Sequence, residues 1–153
     1  MRHGSVTYFD SSGKPLVPET VALNEQGRFQ ASAAGQAFAA QQVRFDRVIV
    51  SGLARTVETA RLVLRETGQH IAIDTWPELK EIRGASLAAI ADADLRDAFI
   101  GVFEGMPGLD QRFLGGESVG ELMDRVHPAI ARLRADPDWD TVLLVLHGGV
   151  NCA

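Results

Sequence analysis

Short apolar runs with the character of buried strands alternate along this chain with longer stretches of helical periodicity. Residues 48–50 and 141–146 are almost entirely aliphatic or β-branched, as is typical of strands that are covered on both faces of a parallel sheet. Residues 71–73 form a third short run of this kind. No internal repeat or low-complexity tract interrupts the alternation, which predicts an α/β layered domain.

Capping residues and periodicity predict two helices in the first half of the chain. Asn24 is expected to cap a helix that runs to about Gln41, after a loop over residues 10–23. The second helix covers about 55–67, and Gly68 suits the left-handed position after its end. The residues expected on the buried face of the first helix are Phe29, Ala33, Ala37 and Ala40.

Two further helices are predicted in the second half. Ser86 can cap a helix that continues to about Leu95, and an irregular, glycine-rich segment follows over residues 101–117. Ser118 and Glu121 have the spacing of a capping box, in which each side chain accepts a hydrogen bond from a backbone N–H group. We expect the helix that begins there to end before Pro137.

Composition narrows the class of protein. A chain of 153 residues fits one domain, and its formal net charge of −5 argues against a general nucleic-acid surface. No apolar run approaches the roughly 20 residues that span a bilayer, so we expect no membrane partner. The single cysteine, Cys152, cannot form an internal disulfide and is compatible with a cytoplasmic location.

Two polar motifs follow predicted strands, and a third lies at the start of the chain, where a preceding strand is expected. Arg2-His3-Gly4 lies at the start of the chain, Ser51 to Arg55 follow the 48–50 strand, and His147-Gly148 follow the 141–146 strand. Because ligands collect beyond the carboxyl ends of parallel strands, we expect the three segments to meet at one edge of the sheet. The sequence therefore predicts a single site built from distant segments.

These residue types fit phosphoryl transfer. A neutral imidazole is a competent nucleophile when its second ring nitrogen keeps a hydrogen bond, and His3 is the candidate. An arginine fork such as that of Arg55 binds two phosphate oxygens at once. His147 can stabilise charge in the transition state. We expect Gly4 and Gly148 to let the backbone approach the phosphate.

The three motifs, in this order, resemble those of the histidine phosphatase superfamily, the phosphoglycerate-mutase-like phosphatases. The resemblance implies a mostly parallel central sheet with helices on both faces, a three-layer α/β sandwich. It implies an activity that needs neither metal nor cofactor, with His3 as the nucleophile. Arg2, Arg55 and His147 would bind the phosphoryl group. Cysteine and histidine spacing likewise predicts no metal site, and His70 and His127 are assigned to the surface.

Glu81 is the predicted proton donor. It lies in Leu79-Lys-Glu81-Ile82, which is similar to the family's segment after the third strand. A carboxylic acid near an anionic phosphate can hold a proton for the leaving oxygen. Glu78 and Glu104 are competing candidates. For Ser51 and Thr59 the alternative to a functional role is capping and packing, which we favour for Thr59.

Three functions stay open at this stage. The chain lacks the tryptophan-rich pattern of phosphoglycerate mutases over residues 6–20, and the segment 81–117 is short for one. These departures favour a phosphomonoester hydrolase, a histidine acid-type phosphatase, over a mutase. A phosphate-binding module without turnover is the third alternative, which the presence of all five family residues disfavours. The expected partner is a small phosphorylated substrate or a phosphoprotein, and a homodimer is compatible with the sequence.

The chain is interpreted as a single domain, 1–153, trimmed at both ends. Arg2-His3-Gly4 is expected to follow a strand, yet only Met1 precedes it. The expected helix after His147 also has little room before Ala153.

Overall fold

A three-stranded parallel sheet forms the centre of the molecule. The computed structural model describes residues 1–14, 16–85 and 108–153. The strands are β1 (Arg47–Val50), β2 (Ile73–Thr75) and β3 (Val142–Val145), and their order across the sheet is β2-β1-β3. Val48 of β1 pairs with Ile73 on one side and with Leu143 on the other.

The described helices alternate with the strands. They are α1 (Glu25–Ala40), α2 (Ala54–Thr67), α3 (Val119–Ala135) and the short α4 (Gly148–Cys152), with 3₁₀ turns at Pro77–Leu79 and Phe113–Gly115. The predicted end of α2 at Gly68 and the predicted capping box of α3 are both confirmed. Gly68 has φ 65° after α2, and Ser118 and Glu121 form the reciprocal capping box of α3. No helix among the described residues is long and apolar enough to cross a membrane.

Alternate side chains of the sheet face two separate apolar cores. Val48 and Val50 of β1 pack with the buried face of α2, which includes Val63. Ile49 points to the opposite side and packs with Leu122 and neighbouring apolar residues of α3. A sheet covered by helices on both faces is the predicted three-layer α/β architecture, which is confirmed.

The predicted buried face of α1 is wrong. The helix and its Asn24 cap form as expected, with Asn24 Oδ1 accepting a hydrogen bond from the Gly27 amide. Phe29, however, is 71% exposed, and the buried positions are Gly27, Ala31 and Gly35. Close approach selects this face, because a Cβ on Gly27 would collide with the carbonyl oxygen of Ser5. Small size, and not hydrophobicity, therefore decides which side of α1 is buried.

Strand β2 is displaced from the position predicted for it. It covers Ile73–Thr75 instead of residues 71–73. The chain after α2 is first tied to the segment before β1, because Gln69 accepts a hydrogen bond from the Phe45 amide and donates one to the Val43 carbonyl. Pairing with β1 starts only beyond this connection. The predicted helix that begins at Ser86 lies outside the described residues.

Candidate active site

The three polar motifs meet at the carboxyl edge of the sheet, as predicted. Arg2 forms a parallel β-bridge with Leu146, directly after β3, and the His3 amide donates a hydrogen bond to the Leu146 carbonyl at 3.0 Å. His3 and His147 therefore lie side by side, with 5.2 Å between ring centroids. Arg55 joins them from the first turn of α2. Sheet pairing, and not loop conformation, sets the spacing of the two histidines.

Hydrogen bonds define the tautomer of His3. Its Nδ1 lies 2.7 Å from the Gly4 carbonyl oxygen, which can only accept, so the proton sits on Nδ1. Nε2 accepts a hydrogen bond from Arg55 Nε at 3.2 Å. The nitrogen with the available electron pair is therefore Nε2, and it already faces the guanidinium that is the predicted phosphate ligand.

Both histidines are neutral in this setting. Burial lowers the pKa of His3 to about 4, the positive charges of Arg55 and Arg2 act in the same direction, and the hydrogen bond to Gly4 opposes them. Burial, followed by the charge of Arg55, lowers the pKa of His147 to about 3. A neutral imidazole with a fixed tautomer is the form that can attack phosphorus.

His147 is anchored through one nitrogen only. Its Nε2 lies 2.7 Å from Ser51 Oγ, within hydrogen-bond distance, and Ser51 is itself fully buried. Among the residues that the structure describes, Nδ1 of His147 has no hydrogen-bond partner. A buried polar atom without a partner costs free energy. A phosphoryl oxygen could relieve this cost by accepting a hydrogen bond from a protonated Nδ1.

Arg55 is buried and connects the histidines to the segment after Gly4. Its Nη1 donates to the Pro18 carbonyl at 2.6 Å, and its Cζ lies 6.0 Å from the centre of the Tyr8 ring. Neither contact was predicted from the sequence. Arg2 is exposed, and its positive charge helps to lower the pKa of both His3 and His147.

Gly4 is a glycine because α1 passes close to it. Its amide donates to Thr59 Oγ1 at 3.1 Å, and a Cβ would overlap the Gly27 carbonyl. The roles of Gly4 and Gly148 as phosphate ligands stay predictions. The packing role assigned to Thr59 agrees with its hydrogen bonds to Gly4 and to the Arg55 carbonyl.

The Glu81 carboxyl group reaches the same edge of the sheet from the other side. Its Oε1 accepts hydrogen bonds from the Gly149 amide at 3.0 Å and from the Ile82 amide at 3.1 Å. Gly149 lies two positions after His147. The competing Glu78 is paired with Arg132 on the surface, at 3.0 Å, and Glu104 is outside the described residues. Of the two described candidates, Glu81 is therefore the one that contacts the segment after His147.

The two remaining histidines lie away from this edge. His70 and His127 are exposed, as expected. In the described part of the chain, no three His, Cys, Asp or Glu side chains are grouped so that they could hold a metal ion. The expectation that the reaction needs no metal stays a prediction.

Comparison with known proteins identifies the family of this site. The sequence model described as "Histidine phosphatase superfamily (branch 1)" matches residues 1–153. The chain belongs to the histidine phosphatase superfamily. The resemblance stated from the motifs is thus confirmed, and so is the phosphoglycerate-mutase-like fold.

Relatives in this superfamily include both mutases and phosphatases by name. The chain is 31% identical over 150 residues to "Probable phosphoglycerate mutase GpmB" of Salmonella paratyphi A, covering 97% of this chain and 67% of the relative. A mycobacterial glucosyl-3-phosphoglycerate phosphatase, solved with VO3, is 31% identical with a TM-score of 0.70, and the match covers 98% and 75% of the two chains. The alpha-ribazole phosphatase of Shigella flexneri is 26% identical with a TM-score of 0.71, and the match covers 99% and 73%.

Proposed function

We propose that this chain is a phosphomonoester hydrolase that works through a phosphohistidine on His3. The observation that carries the proposal is the state of the His3 ring, which is buried and neutral. Its Nδ1 proton is bound to the Gly4 carbonyl, and Nε2 lies beside Arg55. This arrangement provides an electron pair and a phosphate ligand at the same point. The phosphatases among the similar structures support hydrolysis.

The proposed reaction has two steps. Nε2 of His3 bonds to phosphorus while the ester oxygen departs, and Glu81 gives that oxygen a proton. Arg55 and Arg2 neutralise the phosphoryl oxygens. His147 donates to one of them from Nδ1 in its neutral tautomer, whose single proton is on Nδ1 while Nε2 accepts a hydrogen bond from Ser51 Oγ. Water then attacks the phosphohistidine, Glu81 takes up the proton of that water, and inorganic phosphate leaves with Nε2 free again.

The test is release of inorganic phosphate from a panel of phosphomonoesters, with a chelator present. The panel includes phosphopeptides and the substrates named for the similar phosphatases, alpha-ribazole phosphate and glucosyl-3-phosphoglycerate. We expect release by the wild-type protein and its loss in His3→Ala. His70→Ala, at an exposed histidine, is the matched control and should stay active. Equal turnover by His3→Ala and wild type would remove His3 from the mechanism.

A mutase is the second candidate, because the named function of a 31% identical relative is phosphoglycerate mutase. A mutase returns the phosphoryl group to a bound product and must keep water away from the intermediate. Isomerisation of phosphoglycerate without release of inorganic phosphate would favour this candidate. Release of phosphate that exceeds isomerisation would favour the hydrolase.

A further inference from the structure

A buried ion pair between Glu117 and Arg125 lies beneath the segment that carries Glu81. Arg125 binds the Glu117 carboxylate through two nitrogens, with Nε at 2.7 Å from Oε1 and Nη2 at 2.8 Å from Oε2. The Glu117 side chain is only 2% exposed and that of Arg125 is 19% exposed. Glu117 precedes the cap of α3 and Arg125 lies within this helix, so the pair is fixed to a rigid element.

The same guanidinium also holds the backbone on the N-terminal side of Glu81. Nη1 donates to the carbonyl oxygens of Glu78 at 2.6 Å and Lys80 at 2.8 Å, and Nη2 donates to that of Glu81 itself at 3.1 Å. Arg125 therefore directs three hydrogen bonds to this four-residue stretch, in addition to its ion pair.

Glu117 holds the backbone on the C-terminal side. Its Oε2 accepts a hydrogen bond from the Arg83 amide at 3.0 Å, and its own amide donates to the Arg83 carbonyl at 2.7 Å. Burial raises the pKa of Glu117, but hydrogen bonds from Arg125 and Arg83 outweigh that effect and leave the pKa below its ordinary value. Glu117 is thus ionised, and it bonds both to Arg125 and to the backbone of Arg83 on the C-terminal side of Glu81.

Stability alone does not explain this arrangement. A buried ion pair contributes little net stability relative to apolar residues of similar volume. Here its hydrogen bonds converge on the backbone of residues 78–83, with Glu81 in the middle. A proton donor has to be held within about 0.5 Å of its productive position. An anchor on either side of Glu81 meets that requirement.

We propose that the Glu117–Arg125 pair positions Glu81, so that the Glu81 carboxyl group lies within reach of the leaving oxygen. The proposal rests on the proposed function. In the first step the P–O bond to the leaving group breaks, the bond from phosphorus to His3 Nε2 forms, and the Glu81 proton moves to the departing oxygen. Neither Glu117 nor Arg125 touches the reacting atoms.

Leaving groups of different acidity separate positioning from general structural support. The oxygen of p-nitrophenyl phosphate departs as a stable anion and needs little proton donation, whereas the oxygen of glycerol phosphate needs it. General acid catalysis contributes about 10²–10⁴-fold, so Glu81→Gln should lose that factor with glycerol phosphate and far less with p-nitrophenyl phosphate. A misplaced Glu81 should give the same pattern, with a loss on the order of 10²-fold for glycerol phosphate.

The experiment compares kcat/KM for both esters in wild type, Arg125→Lys, Glu81→Gln and the double variant. Lysine keeps the charge but cannot reproduce the planar fork that serves the carboxylate and the three carbonyls. We expect Arg125→Lys to impair glycerol phosphate hydrolysis selectively, and the double variant to be no worse than Glu81→Gln alone. The control is Arg112→Lys. Arg112 lies before α3, donates to the Gly116 carbonyl and forms an ion pair with Glu121 of α3.

Equal losses for both esters, or losses that multiply in the double variant, would overturn the positioning role. If Arg125→Lys does not fold, Glu117→Gln gives the same test, because it keeps Arg125 and its three carbonyl contacts. Glu117→Gln should again impair glycerol phosphate selectively. If the wild-type protein releases no phosphate, or if His3→Ala releases it as fast as wild type, the proposed function itself is refuted. Both results are known before any of these variants is compared.

Discussion

At the scale of single residues, the two histidines of the site differ in the nitrogen that the protein holds. Nδ1 of His3 is held by a backbone carbonyl, whereas Nε2 of His147 is held by the hydroxyl of Ser51. The second nitrogens also differ: Nε2 of His3 accepts a hydrogen bond from Arg55, whereas Nδ1 of His147 has no partner among the described residues. In the proposed mechanism, these contacts distinguish the nucleophile, His3, from the group that stabilises charge, His147.

Removing the anchor of His147 should weaken catalysis without destroying the site. In Ser51→Ala, Nε2 loses its partner and the ring is free to turn. One hydrogen bond is worth about 0.5–1.5 kcal/mol, and about 1.4 kcal/mol corresponds to a tenfold change in rate. We therefore expect kcat/KM for a phosphomonoester to fall about tenfold. Ser32→Ala, which removes a surface serine that contacts Arg65, is the control. Unchanged kinetics in Ser51→Ala would show that Ser51 does not orient His147.

Motifs predicted which residues meet, but not through which atoms. Arg55 and His147 were predicted from residue types placed after a strand, and Arg2 and His3 from the motif at the start of the chain. The parallel pairing of the sheet and the bridge of Arg2 to Leu146 bring them together. The role of Ser51 was missed because its partner is 96 positions away in sequence. Its position directly after β1, at the edge where ligands collect, was the available signal.

At the scale of elements, α1 shows how close packing overrides hydrophobic periodicity. Its apolar periodicity indicated Phe29 and alanines as the buried face, yet Gly27, Ala31 and Gly35 are buried. A glycine at a contact is selected by distance to a neighbouring backbone, which the sequence does not encode locally. The Asn24 cap, the capping box of Ser118 and Glu121, and the end of α2 at Gly68 were predictable because they depend on residues within a few positions.

The glycine contact also has a measurable energetic effect. Gly27→Ala should raise the helix propensity of α1 by about 1 kcal/mol. The added methyl group would overlap the Ser5 carbonyl, which is backbone and cannot rotate away. Overpacking costs about 1–3 kcal/mol, so we expect a net loss in the free energy of unfolding. Gln26→Ala, at an exposed position of the same turn, should cause no loss.

Urea denaturation of both variants provides the measurement. A Gly27→Ala protein that is more stable than wild type would show that α1 can move away from the Arg2-His3-Gly4 segment at little cost. In that case the contact with Gly4 would not hold the segment in place.

At the scale of the whole molecule, burial of the two histidines makes folding sensitive to pH. The unfolded chain titrates these groups near 6.5, whereas the folded values are about 4 for His3 and about 3 for His147. Between these limits the unfolded state binds protons that the folded state does not, so stability is highest above about 6.5 and falls as the pH falls. Below about 3 the two groups are protonated in both states and add no further loss.

Urea unfolding between about pH 7 and pH 5 covers the range in which histidines take up protons in the unfolded chain, while carboxylates with ordinary or lowered pKa values stay ionised over most of it. We expect the free energy of unfolding to decrease toward pH 5 in wild type and to decrease less steeply in His3→Asn. His70→Asn removes an exposed histidine and should leave the slope unchanged. Identical slopes in wild type and His3→Asn would mean that His3 takes up its proton equally in both states.

The pairing of Arg2 with Leu146 also bears on when activity can arise during synthesis. During synthesis His3 is made long before His147. The middle strand β1 can pair on both sides only after β3 has been made. No nascent chain that lacks β3 can bring the two rings together. The proposed phosphoryl transfer would therefore begin only after β3 has been made, and a chain that ends before β3 should not hydrolyse phosphate esters.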